Sequence, residues 1–222
     1  MPKITALEPQ KRKGRLNVFV DGHFVIGVGE AVAVQLGLRI GREIDQERLR
    51  DIVAAEEVNK AYESALRSLD IRARSEREIT QKLARVGFAE TTVAAVVDKL
   101  RNMKLLDDTA FAAQWVEGRT RVEGSRPIGR RRLAQELFQK GVKKELAEEA
   151  LANVSEDDEY ILALAAAQKK VRKPPSDPEA LVDEQRKLIA FLQRRGFGWG
   201  TIKRVIADVL GAGSEDIDDF DE

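Results

Sequence analysis

The residues of this chain best suited to chemistry are its cations. Between Arg119 and Lys144, nine Lys and Arg side chains stand against only Glu123 and Glu136, a local balance of +7. Arg126, Arg130, Arg131, Arg132 and Lys140 are the candidates here for contact with a polyanion. Phosphate neutralisation with release of counterions supplies affinity that is independent of sequence. Arg194 and Arg195, with Lys203 and Arg204, form a second candidate patch, and Lys169, Lys170, Arg172 and Lys173 a third. Arg130, Arg131 and Arg132 are consecutive and cannot all share one helix face, so only part of that cluster meets a given ligand. A solvated helix face is the ordinary fate of any one such side chain. A basic stripe shared by several elements would mark function.

Other chemistries find little support. His23 is the only histidine and stands beside a turn signal, so an imidazole pair or a Ser-His arrangement has nothing to draw on. Gly27-Val-Gly29 lacks the third glycine of a dinucleotide loop and falls in a strand pattern. Gly196-Phe-Gly-Trp-Gly200 is not followed by the Lys-Ser/Thr of a phosphate loop. Asp107-Asp108 has no further acids at ligand spacing and reads as a helix start. With no cysteine there is no disulfide framework and no thiolate metal site. The expectation is a binding protein and not an enzyme, with no catalytic residues, no metal site and no cofactor.

The formal net charge of zero conceals segregation. Residues 211–222 carry six acids (Glu215, Asp216, Asp218, Asp219, Asp221, Glu222) and no base, so the remaining 210 residues sum to +6. A chain of this kind can meet a polyanion with one surface and compete with it through its tail. A short acidic tail also aids solubility by itself. The 34% of charged residues with only 5% of aromatics suits many short amphipathic helices. No apolar run approaches the length of a membrane span, and the first residues lack the apolar centre of a signal peptide. A cytoplasmic protein is expected.

The elements that must hold the cations fall into a repeat. A helix ending in Leu-x-x-x-Gly-(Phe/Val) occurs at Leu83…Gly87-Phe88, Leu137…Gly141-Val142 and Leu192…Gly196-Phe197, the glycines 54 and 55 positions apart. Tyr62, Phe111 and Tyr160, early in other helical patterns, are 49 and 49 apart. A fixed period signals stacked supersecondary units, and such arrays bind something long. The predicted fold is mainly α, a tandem array of three three-helix modules preceded by a small antiparallel β element. The divisions are 1–45 for the β element, 46–108, 109–158 and 159–210 for the modules, and 211–222 for a disordered acidic tail.

Within this plan, Arg15–Val20 alternates as a strand, Asp21-Gly22 is a hairpin turn and His23–Val28 returns, with Lys3–Leu7 as a third strand. The sheet should lean on the following helix. Leu49, Ile52, Val53, Val58, Tyr62, Ala65 and Leu69 form that helix's apolar stripe. Ser75-Glu-Arg-Glu78 reads as a capping box, followed by a buried face of Ile79, Leu83 and Val86 and a left-handed stop at Gly87. Phe88 and Phe197 are expected to plug the space between helices. Trp115 is expected in the core, and Trp199 either closes the third module or anchors a partner.

The run Ser75-Glu-Arg-Glu-Ile-Thr-Gln-Lys-Leu-Ala-Arg-Val-Gly-Phe88, followed by Leu105-Leu-Asp-Asp-Thr-Ala-Phe-Ala112, resembles the RecX family of recombinase regulators. That family pairs an Arg-x-Ser-x-x-Glu-(Leu)-x-x-Lys-Leu-x-x-x-Gly segment with Leu-Asp-Asp-x-x-(Phe/Tyr)-Ala. Here Arg74 directly precedes Ser75, where the family places its arginine two before the serine. Ile79 stands where the family often has leucine. Arg119, Gly129 and Gln135-Glu-Leu-Phe-Gln-Lys-Gly141-Val resemble the second module's pattern. The likeness covers about residues 46–210, and the strand-rich N-terminus looks like an extension of longer members. It implies tandem three-helix modules that bind the RecA recombinase, chiefly its filament on DNA, and restrain its ATPase and strand exchange; a monomer is expected.

A different class of reading is a direct single- or double-stranded DNA binder of helix-turn-helix type, since short three-helix units also carry that motif, although no recognition helix stands out. If the acidic tail competes for basic sites, a chain ending at Gly211 binds single-stranded DNA more tightly than the full chain at low salt, and the difference shrinks as salt screens it. Equal affinity of the two chains at low salt would dismiss the competition.

Overall fold

A computed structural model describes residues 1–121 and 126–211. The tail from residue 212 and part of the Gly124–Pro127 break therefore lie outside the described residues. The chain divides into two compact units, Met1–Arg74 with Glu78–Leu106, and Ser75–Arg77 with Asp107 onward.

The first unit opens with three antiparallel strands, β1 (Ile4–Pro9), β2 (Arg15–Val20) and β3 (His23–Gly29), in the order β1-β2-β3. Val20 pairs with His23 across Asp21-Gly22, whose φ angles of 49° and 81° give the positive-φ turn that matches strand twist. His23 is exposed, in keeping with a turn position. A short helix that periodicity does not announce, α1 (Glu30–Gln35), follows β3, and a loop from Leu36 leads on to the next helix. Six residues are too few for an apolar stripe to register.

The sheet leans on the long α2 (Gln46–Leu69), capped by Asp45, which accepts from the Arg48 amide at 2.7 Å. Ile4, Val18, Val28, Val32 and Ile52 pack there. A buried charge fixes the contact. Glu56, 1% exposed, accepts from Arg15 Nη2 at 2.7 Å and from the Gly29 amide at 2.8 Å. Val53 is 47% exposed and lies outside the apolar stripe, because Glu56 and Ile52 occupy the buried side of that turn.

The second half of α2, with α3 (Glu76–Val86) and α4 (Glu90–Asn102), closes the first module around Ala61, Ala65, Ile79, Leu83, Val96 and Leu100. Val86 is 59% exposed, not buried: it is the last helical residue before Gly87 (φ 98°) turns the chain. The Glu78 carboxylate accepts both Arg72 Nη groups, at 2.9 and 3.0 Å. This raises the Arg72 pKa, the hydrogen bond outweighing the cost of burial.

In the second unit, α5 (Asp108–Thr120), α6 (Arg130–Gln139) and α7 (Lys144–Ala152) surround Phe111, Ala112, Leu133, Leu137 and Leu151. The third module, α8 (Glu156–Lys170), α9 (Pro178–Arg194) and α10 (Trp199–Leu210), surrounds Leu162, Leu188, Leu192, Phe197 and Ile206. Asp107 caps α5 through the amides of Thr109 and Ala110, and Ser155 with Asp158 forms a full capping box on α8. Gly141 and Gly196 stop α6 and α9 at φ 82° and 81°. Phe197 is 1% exposed and plugs the third core, while Phe88 is half-buried against the first. Trp115 and Trp199 are half-buried at the edges of their cores. Among the described residues no helix is long and apolar enough to cross a membrane.

Breaking a buried ion pair from one side strands the other charge. Glu56→Gln is expected to lower the stability of the first unit by about 3–5 kcal/mol in urea unfolding. Lys60→Ala, which removes only the half-exposed outer partner of Glu56, is expected to cost less than about 1 kcal/mol.

Candidate polyanion interface

The second and third modules meet end to end, and several of the candidate cations stand at the join. Gly129, the N-cap of α6, donates its amide to the Arg195 carbonyl at 2.9 Å, and the Arg131 amide donates to the Gly196 carbonyl at 3.1 Å. The Arg130 amide donates to Glu159 Oε1 at 3.0 Å. The orphan donors that begin α6 are thus met by the orphan acceptors that end α9 and by one carboxylate. A side chain at Gly129 would place Cβ 2.3 Å from the Gly196 oxygen, and one at Gly196 would place it 2.3 Å from the Arg132 nitrogen. Residues 75–77, which group with this unit, make the same kind of contact: Ser75 Oγ donates to the Lys140 carbonyl at 2.6 Å and the Glu76 amide to Asp108 Oδ1 at 2.9 Å.

Several of the candidates serve this architecture. Arg195 Nη1 donates to the Pro127 carbonyl at 2.8 Å while its guanidinium lies 4.6 Å over the Phe191 ring. Burial first, and then the neighbouring Arg126, lower its pKa. Arg132 reaches Gln135 at 3.0 Å and Glu136 at 3.9 Å. Arg204 pairs with Asp157 at 3.2 Å and covers the Tyr160 ring at 4.0 Å. The Tyr160 hydroxyl donates to Asp208, which raises its pKa by holding the neutral phenol. Lys140 lies 4.6 Å and Arg119 4.9 Å over Trp115, whose indole N–H donates to Glu136 at 3.0 Å. Lys203 lies 5.7 Å over Trp199. In the first unit Lys99 covers Tyr62 at 4.3 Å. A cation over an aromatic ring of the module's first helix is therefore a repeated contact, worth about 0.5–1 kcal/mol where exposed.

Arg130 and Arg204 also flank a cavity of about 370 Å³ lined by Glu156, Glu159, Tyr160, Gly198, Gly200 and Thr201. Its acids make it a poor receptor for anions, because Glu159 already supplies the negative charge at the start of α6.

Arg126, Arg131 and Arg194 remain exposed. Of these the fold joins Arg194 to Lys170, from the third sequence patch, and to two cations that sequence reasoning passed over, Arg186 and Lys187. Together with Ala190 they line a shallow cavity of about 390 Å³. Arg186 and Lys187 follow Asp183 and Glu184, so no net charge marks them along the chain. The signal that would have found them is helical spacing: 186, 190 and 194 are successive fours on α9.

Four family models match the chain in step with these elements. "Regulatory protein RecX N-terminal domain" matches residues 2–45. The first, second and third three-helix domains of RecX match residues 61–100, 107–151 and 156–206. Among curated relatives, the regulatory protein RecX of Clostridium botulinum (strain Alaska E43 / Type E3) is 32% identical over 214 residues, covering 95% of this chain and 97% of its own. That of Limosilactobacillus reuteri (strain DSM 20016) is 32% identical over 210 residues, covering 95% of this chain and 78% of its own. A crystal structure of a regulatory protein RecX superposes with a TM-score of 0.77 at 30% identity over 92% of this chain and 98% of that one.

The two classes of arginine separate by experiment. Arg195→Ala is expected to destabilise the second unit by about 1–3 kcal/mol, since it strands a carbonyl and strips a ring. Arg131→Ala, which removes an exposed side chain, should stay within about 0.5 kcal/mol. Denaturant melts of the two variants check this, and equal midpoints would remove Arg195 from the structural class.

Proposed function

Because the chain belongs to the RecX family of regulatory proteins, we propose that it binds the RecA recombinase as a filament on DNA. There it restrains the ATPase and strand-exchange activities of recombination and repair, including the response to DNA damage. It acts as a modulator, not a catalyst, and works as a monomer in the cytoplasm. The observation that carries this reading is the series of three modules, each with its own core, preceded by the strand element, in the order the family has them. An array of small units suits a target that is itself a repeat, because each module can meet an equivalent surface of an extended partner.

The cations support a target that includes nucleic acid. Arg126, Arg131 and Arg194 are exposed, so their charge is available to a polyanion. The Arg130 amide holds the join, and the side chains of Arg132, Lys140, Arg195, Lys203 and Arg204 meet a carboxylate, a carbonyl or a ring of the fold, so in this reading they shape the surface more than they contact the target.

The test is the single-stranded-DNA-dependent ATPase of RecA, titrated with this protein. Strong inhibition well below one copy per recombinase protomer is expected, because a filament binder acts on many protomers at once. No change at equimolar amounts would overturn the proposal.

A further inference from the structure

We propose that the outward face of α6 seats single-stranded DNA. Phe138 is the ring on which an unpaired base stacks, and Arg131 and Arg77 are the cations that meet the phosphates to either side. This rests on the reading above, a target that includes DNA, and names the surface of the second module that meets it.

Phe138 is 71% exposed, the most exposed aromatic side chain among the described residues. Phe111 and Phe197 are buried in their cores, and Tyr62 and Tyr160 lie under cations. A ring left this far in water forgoes the burial that stabilises the others. Its own helix surrounds it with polar groups. Leu133 and Leu137 are buried, Ala134 is half-buried, and the exposed neighbours are Gln135 and Gln139. Glu136, the one acid in the sequence of α6, is turned to the indole of Trp115 and to Arg132. The helix therefore sets no carboxylate beside the ring to repel a phosphate.

Cations stand before and after the ring along the helix. Arg131 is seven residues before Phe138, two turns or about 10 Å along the axis, so the two share one face. The Arg131 amide is tied to the Gly196 carbonyl, which fixes that end of the helix. At the other end a Cβ on Gly141 would lie 2.2 Å from Arg77 Cδ, so the stem of Arg77 rests on the turn that closes α6, three residues past Phe138. The bond from Ser75 Oγ to the Lys140 carbonyl holds this segment there, and residues 75–77 belong to the same unit as α6. The side chains of Arg77 and Arg131 are exposed.

The arrangement selects a single strand. A protein groove rewards an aromatic anchor inside a packed, desolvated patch, and α6 offers one ring among amides and charges. An unpaired base needs only the face of that ring, and its flanking phosphates need the guanidinium groups. Bases in a duplex are stacked on one another and keep their faces from it. Stacking accepts any base, so binding here is tolerant of sequence.

The test measures DNA binding without any recombinase, so its outcome is separate from that of the ATPase assay. Full-length protein is titrated into a labelled oligothymidine of about 20 nucleotides, and into an abasic strand of the same length, with anisotropy read over a series of salt concentrations. Phe138→Ala is expected to bind the oligothymidine at least about fivefold more weakly, with its salt slope unchanged, because no charge is lost. On the abasic strand, which keeps the phosphates, Phe138→Ala should match the unaltered chain. Phe138→Trp should hold or gain affinity, whereas Phe138→Leu, apolar but without a ring, should fall with the alanine variant. Arg77→Ala/Arg131→Ala should weaken both strands and make the slope of log K against log salt shallower by about 1.4, since each phosphate contact on a single strand contributes about 0.7. Circular dichroism checks the fold of each variant. Failure of the unaltered chain to bind oligothymidine at low salt would overturn the proposal. So would full affinity in Phe138→Ala or Phe138→Leu, or an equal fall on the abasic strand. Loss of ATPase restraint in Phe138→Ala with DNA affinity intact would also overturn it, because the ring would then be meeting the recombinase itself.

Discussion

The meeting of Gly129 with Gly196 is the contact on which the second unit depends. One helix ends where another begins, and the backbones approach so closely that a methyl group at either position would overlap the other strand of the join. The exchange is favourable because both helix ends carry unpaired groups. The α6 amides need acceptors, the α9 carbonyls need donors, and each supplies the other without water. Glu159 completes the set by taking the amide that no carbonyl reaches. Arg195 then ties the loop before α6 to the end of α9 through the Pro127 carbonyl. The join is made of backbone, so it tolerates change in surface residues but not in the two glycines.

The same economy explains why a basic protein surface is not simply a binding surface. The cations of this chain have three fates. Some lie over aromatic rings, as Lys99 does on Tyr62 and Arg204 on Tyr160, widening small cores with their alkyl stems. Some offset a carboxylate at the edge of a module, as Arg119 and Arg132 do at Glu136. Others donate to backbone carbonyls, as Arg195 does to Pro127 and Lys82 to Ser64. Charge counted along the chain merges these fates, because a side chain's partner is set by the fold and not by its neighbours in sequence.

Much of the architecture was legible in the residues. The helix-stopping glycines Gly87, Gly141 and Gly196 all adopt the left-handed conformation their spacing implied, since an apolar helical stripe followed by Gly has few other outcomes. The Asp21-Gly22 hairpin followed from turn chemistry in the same way. Less legible were α1, too short for a period, and Val53 and Val86, apolar residues whose exposure depends on how each turn of helix faces its neighbours. The candidate interface was legible only in part. Arg194 and Lys170 were visible as separate patches, while Arg186 and Lys187 were masked by the acids that precede them.

By itself the sequence determined the number of modules, the start and stop of most helices and the placing of a strand element before them, because these rest on local periodicity, capping and positive φ. Tertiary structure alone decided which cations serve the fold and which stay exposed at its surface. That choice turns on contacts between residues far apart in the chain, such as Arg195 with Pro127, 68 positions away, and Glu159 with Arg130, 29 away. Local pattern carries no record of such distances; packing brings the groups together, and only then does a charge acquire a partner or lack one.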